Sequence, residues 1–407
     1  PTMSGSNKFG HIQLAPPDPI LGTAVAYNKD PHPDKVNLGV GAYRTNEGKP
    51  LIFQAVRDAE RALIEDPAVN HEYLGIDGHE GFVRLARQLL LGADSPAIAE
   101  HRVASSQGIS GTGSLRIGAE FLSVYLHPPC VLISEPTWGN HITIFEKVNV
   151  PVKKYPYWKL ETRGIDLDGM LAALNEAPAG SIVLLHSCAH NPTGVDPTHE
   201  QWERIFEVIL QKDLLAFFDS AYQGFATGDL EADAWAIRSF VNRGGQCLIS
   251  QSFAKNAGLY GERIGALHIV CSDSDTTERA LSQLKIVVRA MYSNPPLHGA
   301  LIMAKILGDP ALRENWQNEL TSVAHRIIDM RRALYEGLVK LGTAGDWTHI
   351  TSQIGMFSYT GLTPAQCEVM INKWHCYMLK NGRISMTGIN THNVEYVAAA
   401  IKDSLES

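Results

Sequence analysis

Five short apolar runs, at residues 131–134, 182–186, 214–219, 247–253 and 264–271, recur through the middle of the chain, each bounded by turn residues. Runs that short and that continuous suit strands buried on both faces of a sheet. Helix-like stretches lie between them, for example 200–210 and 278–288. The alternation predicts an α/β fold, a mostly parallel central sheet with helices on both sides. At 407 residues the chain exceeds the length at which one core stops growing, so two units are expected. We place the large one at about residues 47–310, and the smaller α/β unit at residues 1–46 and 311–407, the first of which also form an N-terminal arm. The arm contains Ala15-Pro16-Pro17-Asp18-Pro19-Ile20, too rich in proline for a helix interior, and is expected to lie extended on another surface such as that of a partner subunit.

Composition removes several classes of function. Hydrophobic residues make up 44% and charged ones 19%, yet no apolar run approaches the roughly 18 residues of a membrane helix, which excludes a helical membrane protein. A net charge of -8 without any basic block argues against a nucleic-acid surface and leaves small anions to individual arginines. Six cysteines, at 130, 188, 247, 271, 367 and 376, form no C-x-x-C pair and fall in or near apolar runs. They read as buried free thiols of a reducing compartment, the cytoplasm or the mitochondrial matrix. The first residues show no basic-then-apolar signal pattern, so secretion is not expected.

Chemistry-bearing residues fall at the ends of the strand-like runs, where α/β enzymes keep their sites. Lys255 follows the 247–253 run and precedes Gly258 and Gly261, which places an amine where a strand gives way to a turn. Asp219, followed by Ser220-Ala221-Tyr222, ends another run; it suits a helix N-cap or, in the sharper reading, the counter-ion of a protonated pyridine nitrogen with Tyr222 beside it. Asn191-Pro192-Thr193-Gly194 follows a third, and its amide offers two donors that suit a phenolate oxygen. Ser110-Gly111-Thr112-Gly113-Ser114 reads as a small-residue loop entering a helix over 115–126, with its apolar face at 115, 118, 119, 122 and 126. Such a loop presents backbone N–H groups to a phosphate, although Arg116 stands where a dinucleotide fingerprint has its third glycine. An amine, an acid, a ring-oxygen donor and a phosphate cradle reinforced by Ser252 and Arg263 serve one ligand together, pyridoxal 5'-phosphate.

The segments 36–44, 71–74, 136–138, 190–194, 219–225, 252–263, 292–296 and 382–384, with Ser110-Gly111-Thr112-Gly113, resemble the aspartate aminotransferases of the eukaryotic subgroup, and the resemblance covers nearly the whole chain. It implies the fold of the fold-type I pyridoxal-phosphate transferases. It also implies that Lys255 bonds the cofactor and shuttles the substrate proton, with Asp219 on the ring nitrogen, Asn191 and Tyr222 on the ring oxygen, Trp138 stacked on the ring and His141 orienting Asp219. Phosphate would be held by Ser110, Gly111, Thr112, Ser252 and Arg263, with Tyr73 entering from the other subunit of a homodimer. Arg383, near the Gly41 backbone, would take the α-carboxylate, and Arg289 of the neighbouring subunit the side-chain carboxylate. Two arginine anchors imply dicarboxylic amino-acid and keto-acid substrates. The sequence departs from that pattern at Ala254, where many members carry a serine.

Rival readings are weaker on their own terms. Ser252-x-x-Lys255 fits the S-x-x-K of penicillin-recognising hydrolases, but neither S-D-N nor K-T-G occurs. His186 and His190 suggest a metal pair, yet their spacing belongs to a strand end and turn, and buried polar packing is the expectation. A decarboxylase or β-lyase would break another Cα bond; two carboxylate anchors that fix the substrate favour amino transfer. A non-catalytic binding module would be expected to have lost Lys255 or Asp219.

Overall fold

A computed structural model describes residues 7–16 and 18–407. Its centre is a seven-stranded sheet whose strands lie in the order Val103–Ile109, Ile264–Val270, Cys247–Ser252, Leu215–Ser220, Ile182–His186, Val131–Glu135, Val152–Pro156. Each of the five strand-like runs is a strand, with ends within two residues of those expected. Ile264–Val270 pairs antiparallel with both of its neighbours, and the other pairings are parallel. Helices cover both faces. On one, Leu167–Glu176, His199–Gln211 and Trp235–Asn242 pack over Val183, Phe218 and Ile249; on the other, Ser110–Tyr125, Asn140–Glu146 and Ser274–Tyr292 pack over Ile133, Phe217 and Leu267. The six cysteines are free and buried, as their sequence setting implied: Cys130, Cys247 and Cys271 among these apolar residues, and Cys188, Cys367 and Cys376 in a further core cluster.

Outside the sheet, the 31-residue helix Pro310–Lys340 packs with Val394–Glu406 and with Gln54–Glu65, through a core that contains Trp316, Leu334 and Ile401. Two small sheets complete this region: Val36–Asn37 beside Cys376–Tyr377, and Phe357–Tyr359 antiparallel to Arg383–Ser385.

Two expectations need correction. The Ala15–Ile20 stretch is not extended throughout: Pro17 lies outside the described residues, and a helix, Pro19–Lys29, begins at the third proline. Asp18 caps it by accepting from the N–H groups of Ile20 and Leu21 at 2.8 and 2.9 Å, and a proline at the first helical position gives up only an N–H that has no intrahelical partner anyway. The expected loop at 110–114 is itself the first turn of a helix, Ser110–Tyr125. Ser110 makes the turn out of the strand at φ 57, and the Ser114 hydroxyl donates to its carbonyl at 2.7 Å. Leu126 lies past the helix end and is exposed.

Candidate active site

The C-terminal ends of the parallel strands and the start of the single antiparallel one meet along one sheet edge. Register brings their side chains together: His186 stands opposite Asp219, Asp219 opposite Ser250, and Gly265 between Ser252 and Gly108. At one end of this edge the Ser110 and Ser252 hydroxyls lie 3.1 Å apart. A Cβ at Gly111 would come within 3.2 Å of the Ser252 Cβ, so the backbone approaches there as only glycine allows without displacing a neighbour. Arg263 adopts φ 51 and donates from Nη1 to the Tyr260 carbonyl at 2.9 Å, while the Tyr260 hydroxyl accepts from the Tyr43 N–H at 2.9 Å. A helix start with free N–H groups, two hydroxyls and a guanidinium make a cradle for a dianion.

Beside it runs a hydrogen-bond chain whose direction follows from one fixed donor. The Asn191 N–H points to His186 Nδ1 at 3.3 Å and can only donate. Burial pushes His186 down to about 3, so the ring is neutral and carries its proton on Nε2, 3.1 Å from Thr137 Oγ1. Thr137 then donates to His141 Nδ1 at 2.8 Å, which leaves the His141 Nε2–H to donate to Asp219 Oδ2 at 2.8 Å. Burial acts to raise the Asp219 carboxyl, but the His141 hydrogen bond, with smaller contributions from the two histidines and Lys255 beside it, outweighs burial and holds the group below its usual value. The site therefore keeps an ionised acid in a nearly enclosed place. His190 is likewise satisfied by Ser134 at 2.9 Å and Thr193 at 2.7 Å and stacks on Tyr157, which is the buried polar packing expected of the two histidines.

Lys255 lies in the turn between the 247–252 and 264–270 strands, held on both sides. Phe253 is fully buried with its ring edge-on to Phe82 at 5.5 Å, and Asn256 donates to the Gln223 carbonyl at 3.1 Å while its own carbonyl accepts from Trp316 Nε1 at 2.8 Å. Burial, then the charge of Arg263, pulls the lysine down, while Asp219 acts the other way; the net direction is downward. A lysine so placed supplies a more available neutral amine than a solvated one does. Across the cavity Arg383 is 3% exposed, rests 4.0 Å over the Phe357 ring, and is held down to about 10 by burial, so it stays charged at neutral pH. Among the described residues it has no carboxylate partner, and its Nε is buried without a hydrogen bond.

One cavity is lined by Gly41, Ser110, Gly111, Thr112, Trp138, His141, Asn191, Asp219, Tyr222, Ser252, Lys255, Arg263 and Arg383. Two residues singled out in the sequence are not there. Tyr73 is 89% exposed, and Arg289 is exposed and hydrogen-bonded to Ser293. Ile20, Leu115, His186, Cys188, Ala221 and Phe357 also line the cavity. The apolar ones carry no sequence signal that separates them from core. The cavity shares Ile20, Trp138, Asn191 and Arg383 with a wider cleft of about 1260 Å³ between the Pro19–Lys29 helix, residues 137–143 and residues 377–383.

Pyridoxal phosphate fits these groups. The Gly111 cradle is the kind a Cβ would fill, and an ionised carboxylate lines the same cavity as a lysine amine with a lowered pKa. Residues 33–401 match the family described as aminotransferase class I and II. The chain is similar to aspartate aminotransferase 1 of Medicago sativa, 54% identical over 98% of this chain and 96% of that one. It is also 54% identical to the cytoplasmic aspartate aminotransferase of Oryza sativa subsp. japonica, over 98% of both. Among solved structures, the aspartate aminotransferase from Saccharomyces cerevisiae cytoplasm matches with a TM-score of 0.96 and 46% identity over 98% of each chain. An aromatic-amino-acid aminotransferase from Burkholderia pseudomallei, covalently bound to pyridoxal phosphate, matches with 0.96 and 46% over 98% of this chain and 100% of that one.

Proposed function

The chain belongs to the class I and II aminotransferases, and from that premise we infer how its own residues divide the work. It is a pyridoxal-phosphate-dependent aspartate aminotransferase, which moves the amino group of L-aspartate to 2-oxoglutarate and yields oxaloacetate and L-glutamate. The observation that carries the residue assignment is the convergence on one cavity of a lysine amine, an ionised Asp219, a dianion cradle and an arginine without a carboxylate.

When bound, pyridoxal phosphate supplies an aldehyde and a ring that stores the electron pair released at the substrate Cα. Asp219, oriented by His141, would hold a proton at the ring nitrogen. Asn191 and Tyr222 would hold the ring oxygen, Trp138 would cover the ring, and Ser110, Gly111, Thr112, Ser252 and Arg263 would hold the phosphate. Lys255 would hold the aldehyde end of the cofactor and, with its amine free, would take the proton from the substrate Cα as a general base. Arg383 binds the substrate α-carboxylate with a two-pronged contact, beside the Gly41 backbone. Ala254 lines the cavity without a hydroxyl, so the phosphate rests on the remaining groups.

Tyr73 and Arg289, exposed in one chain, act in this reading on the neighbouring site of a homodimer, Tyr73 at the phosphate and Arg289 at the substrate's side-chain carboxylate. We assign residues 47–310 to a cofactor-binding unit and residues 1–46 with 311–407 to a smaller one. We place the enzyme in the cytoplasm, a setting that keeps the six buried thiols reduced. The test is the visible spectrum of the purified protein: aspartate should shift it, and 2-oxoglutarate should restore it. Lys255→Ala should retain cofactor and lose turnover. A near-wild-type rate in that variant would remove Lys255 from the mechanism.

A further inference from the structure

We propose that Arg331 is a positioning residue for substrate recognition: from inside the core it fixes segment 350–357, and through that segment the setting of Arg383 and of the Asn191 turn. Arg331 sits on the helix Pro310–Lys340 and is 2% exposed. Its Nη1 donates to the Ile350 carbonyl at 3.0 Å, and its Nη2 to the carbonyls of Gly355 and Phe357 at 2.8 and 2.6 Å. A buried guanidinium ordinarily has a carboxylate beside it, because an unpaired charge is costly to desolvate. Among the described residues no carboxylate pairs with this one; burial pushes it down to about 9, which still leaves it charged at neutral pH. Three carbonyls of one short segment stand in for the counter-ion. The two Nη atoms of the fork hold all three in a fixed plane, a geometry that the single ammonium of a lysine does not reproduce.

The segment so gripped is wedged between two parts of the site. On one side, the Ile354 N–H donates to the Gly194 carbonyl at 2.8 Å, and Gly355, at φ 87, lies so close to the Asn191 turn that a Cβ would stand 2.4 Å from that of Ala189. On the other, the Met386 N–H donates to the Met356 carbonyl at 2.8 Å, and Phe357 pairs with Ser385 in the short sheet that carries Arg383. The Phe357 ring then supports the Arg383 guanidinium at 4.0 Å. Releasing the three carbonyls lets that ring move from beneath the arginine while Lys255, Asp219 and the phosphate cradle keep their own supports. The consequence belongs to carboxylate binding and not to proton transfer. The inference rests on the reading of Arg383 as the α-carboxylate anchor.

The experiment uses the holoenzyme with Arg331→Lys, Phe357→Leu and the double variant. Cofactor content should be unchanged and kcat should fall by no more than about twofold, while KM for aspartate and for 2-oxoglutarate, and the Ki of succinate as a non-reacting dicarboxylate, rise about tenfold in each single variant. The double variant should be no weaker than the weaker single one, because both act through the same ring. A lysine variant that only melts earlier, with KM and Ki unchanged, overturns the proposal, and so do additive effects. Where Arg331→Lys does not fold, Phe357→Leu decides alone: unchanged KM and Ki overturn the proposal. Arg383→Lys separates the two readings, since wild-type succinate affinity there would sink the anchor assignment itself.

Discussion

Replacing His141 by leucine removes the N–H that reaches Asp219 Oδ2 at 2.8 Å, at a place where the imidazole side chain is 1% and the carboxylate 12% exposed. Burial pushes Asp219 upward, and the hydrogen bond from His141 is the largest influence holding it down. A hydrogen bond to a charged group contributes about 1.5–3 kcal/mol. With about 1.4 kcal/mol to each factor of ten, its loss should weaken Asp219 as an acid by roughly ten- to a hundredfold. The sign follows from linkage. A carboxyl held below its unfolded value contributes stability that is present above that value and is lost as pH falls through the folded one; without the bond that contribution shrinks or reverses, so the variant should be less stable at neutral pH and should lose less stability on acidification. The assay is kcat/KM for aspartate together with the melting temperature, both followed into the acid range for the two proteins. The acid limb of kcat/KM should move to higher pH in the leucine variant, whereas its melting temperature, lower at neutral pH, should fall less on acidification. Acid limbs that superimpose would refute the reasoning, because the bond would then contribute nothing to the ionised state.

Charge reversal at Arg289, exposed in its own chain, should depress activity on aspartate far more than on monocarboxylic amino acids, and hybrids with Lys255→Ala chains should regain one working site per dimer; hybrids no better than their parents would argue against a shared site. His268 is fully buried between Ser105 at 2.8 Å and Gln251 at 2.9 Å, and burial pushes it down to about 3. Because the unfolded histidine takes up its proton near the ordinary value of about 6.5, wild-type stability should fall as pH drops from there towards about 3, and His268→Gln should lessen that slope by about one proton. Denaturant titrations at several pH values measure it, and equal slopes would count against a neutral buried ring.

The strands were legible because a continuous apolar run has few other uses. Two strands of the large sheet are exceptions: the edge strand Val152–Pro156, where Lys153 and Lys154 are exposed, and Val103–Ile109, where Ser105, Ser106 and Gln107 are buried and polar. The side chains of the second are satisfied by tertiary partners, His268 for Ser105 and the Pro296 carbonyl for Gln107, which no local pattern announces. Asp18-Pro19 reads equally well as an extended arm or as a cap and first turn, and the choice depends on what the helix packs against. The polar groups of the site stood out because a lysine, a carboxylate or an amide at the end of an apolar run is unusual there. Phe357 and Ile20 did not, since an apolar wall of a cavity has the same sequence as core. Arg331 was hidden for the opposite reason: helical spacing does not reveal that a guanidinium has been turned inward.

The wide cleft along Leu21, Ile371, Met378 and Leu379 adjoins the cavity but is built from none of the strand ends that hold Lys255 and Asp219. Exchanging those side chains should change the KM for different amino acids more than the rate of bond cleavage. Such an arrangement lets a lineage widen or narrow its diet by small steps, without ever passing through a form that has lost its chemistry.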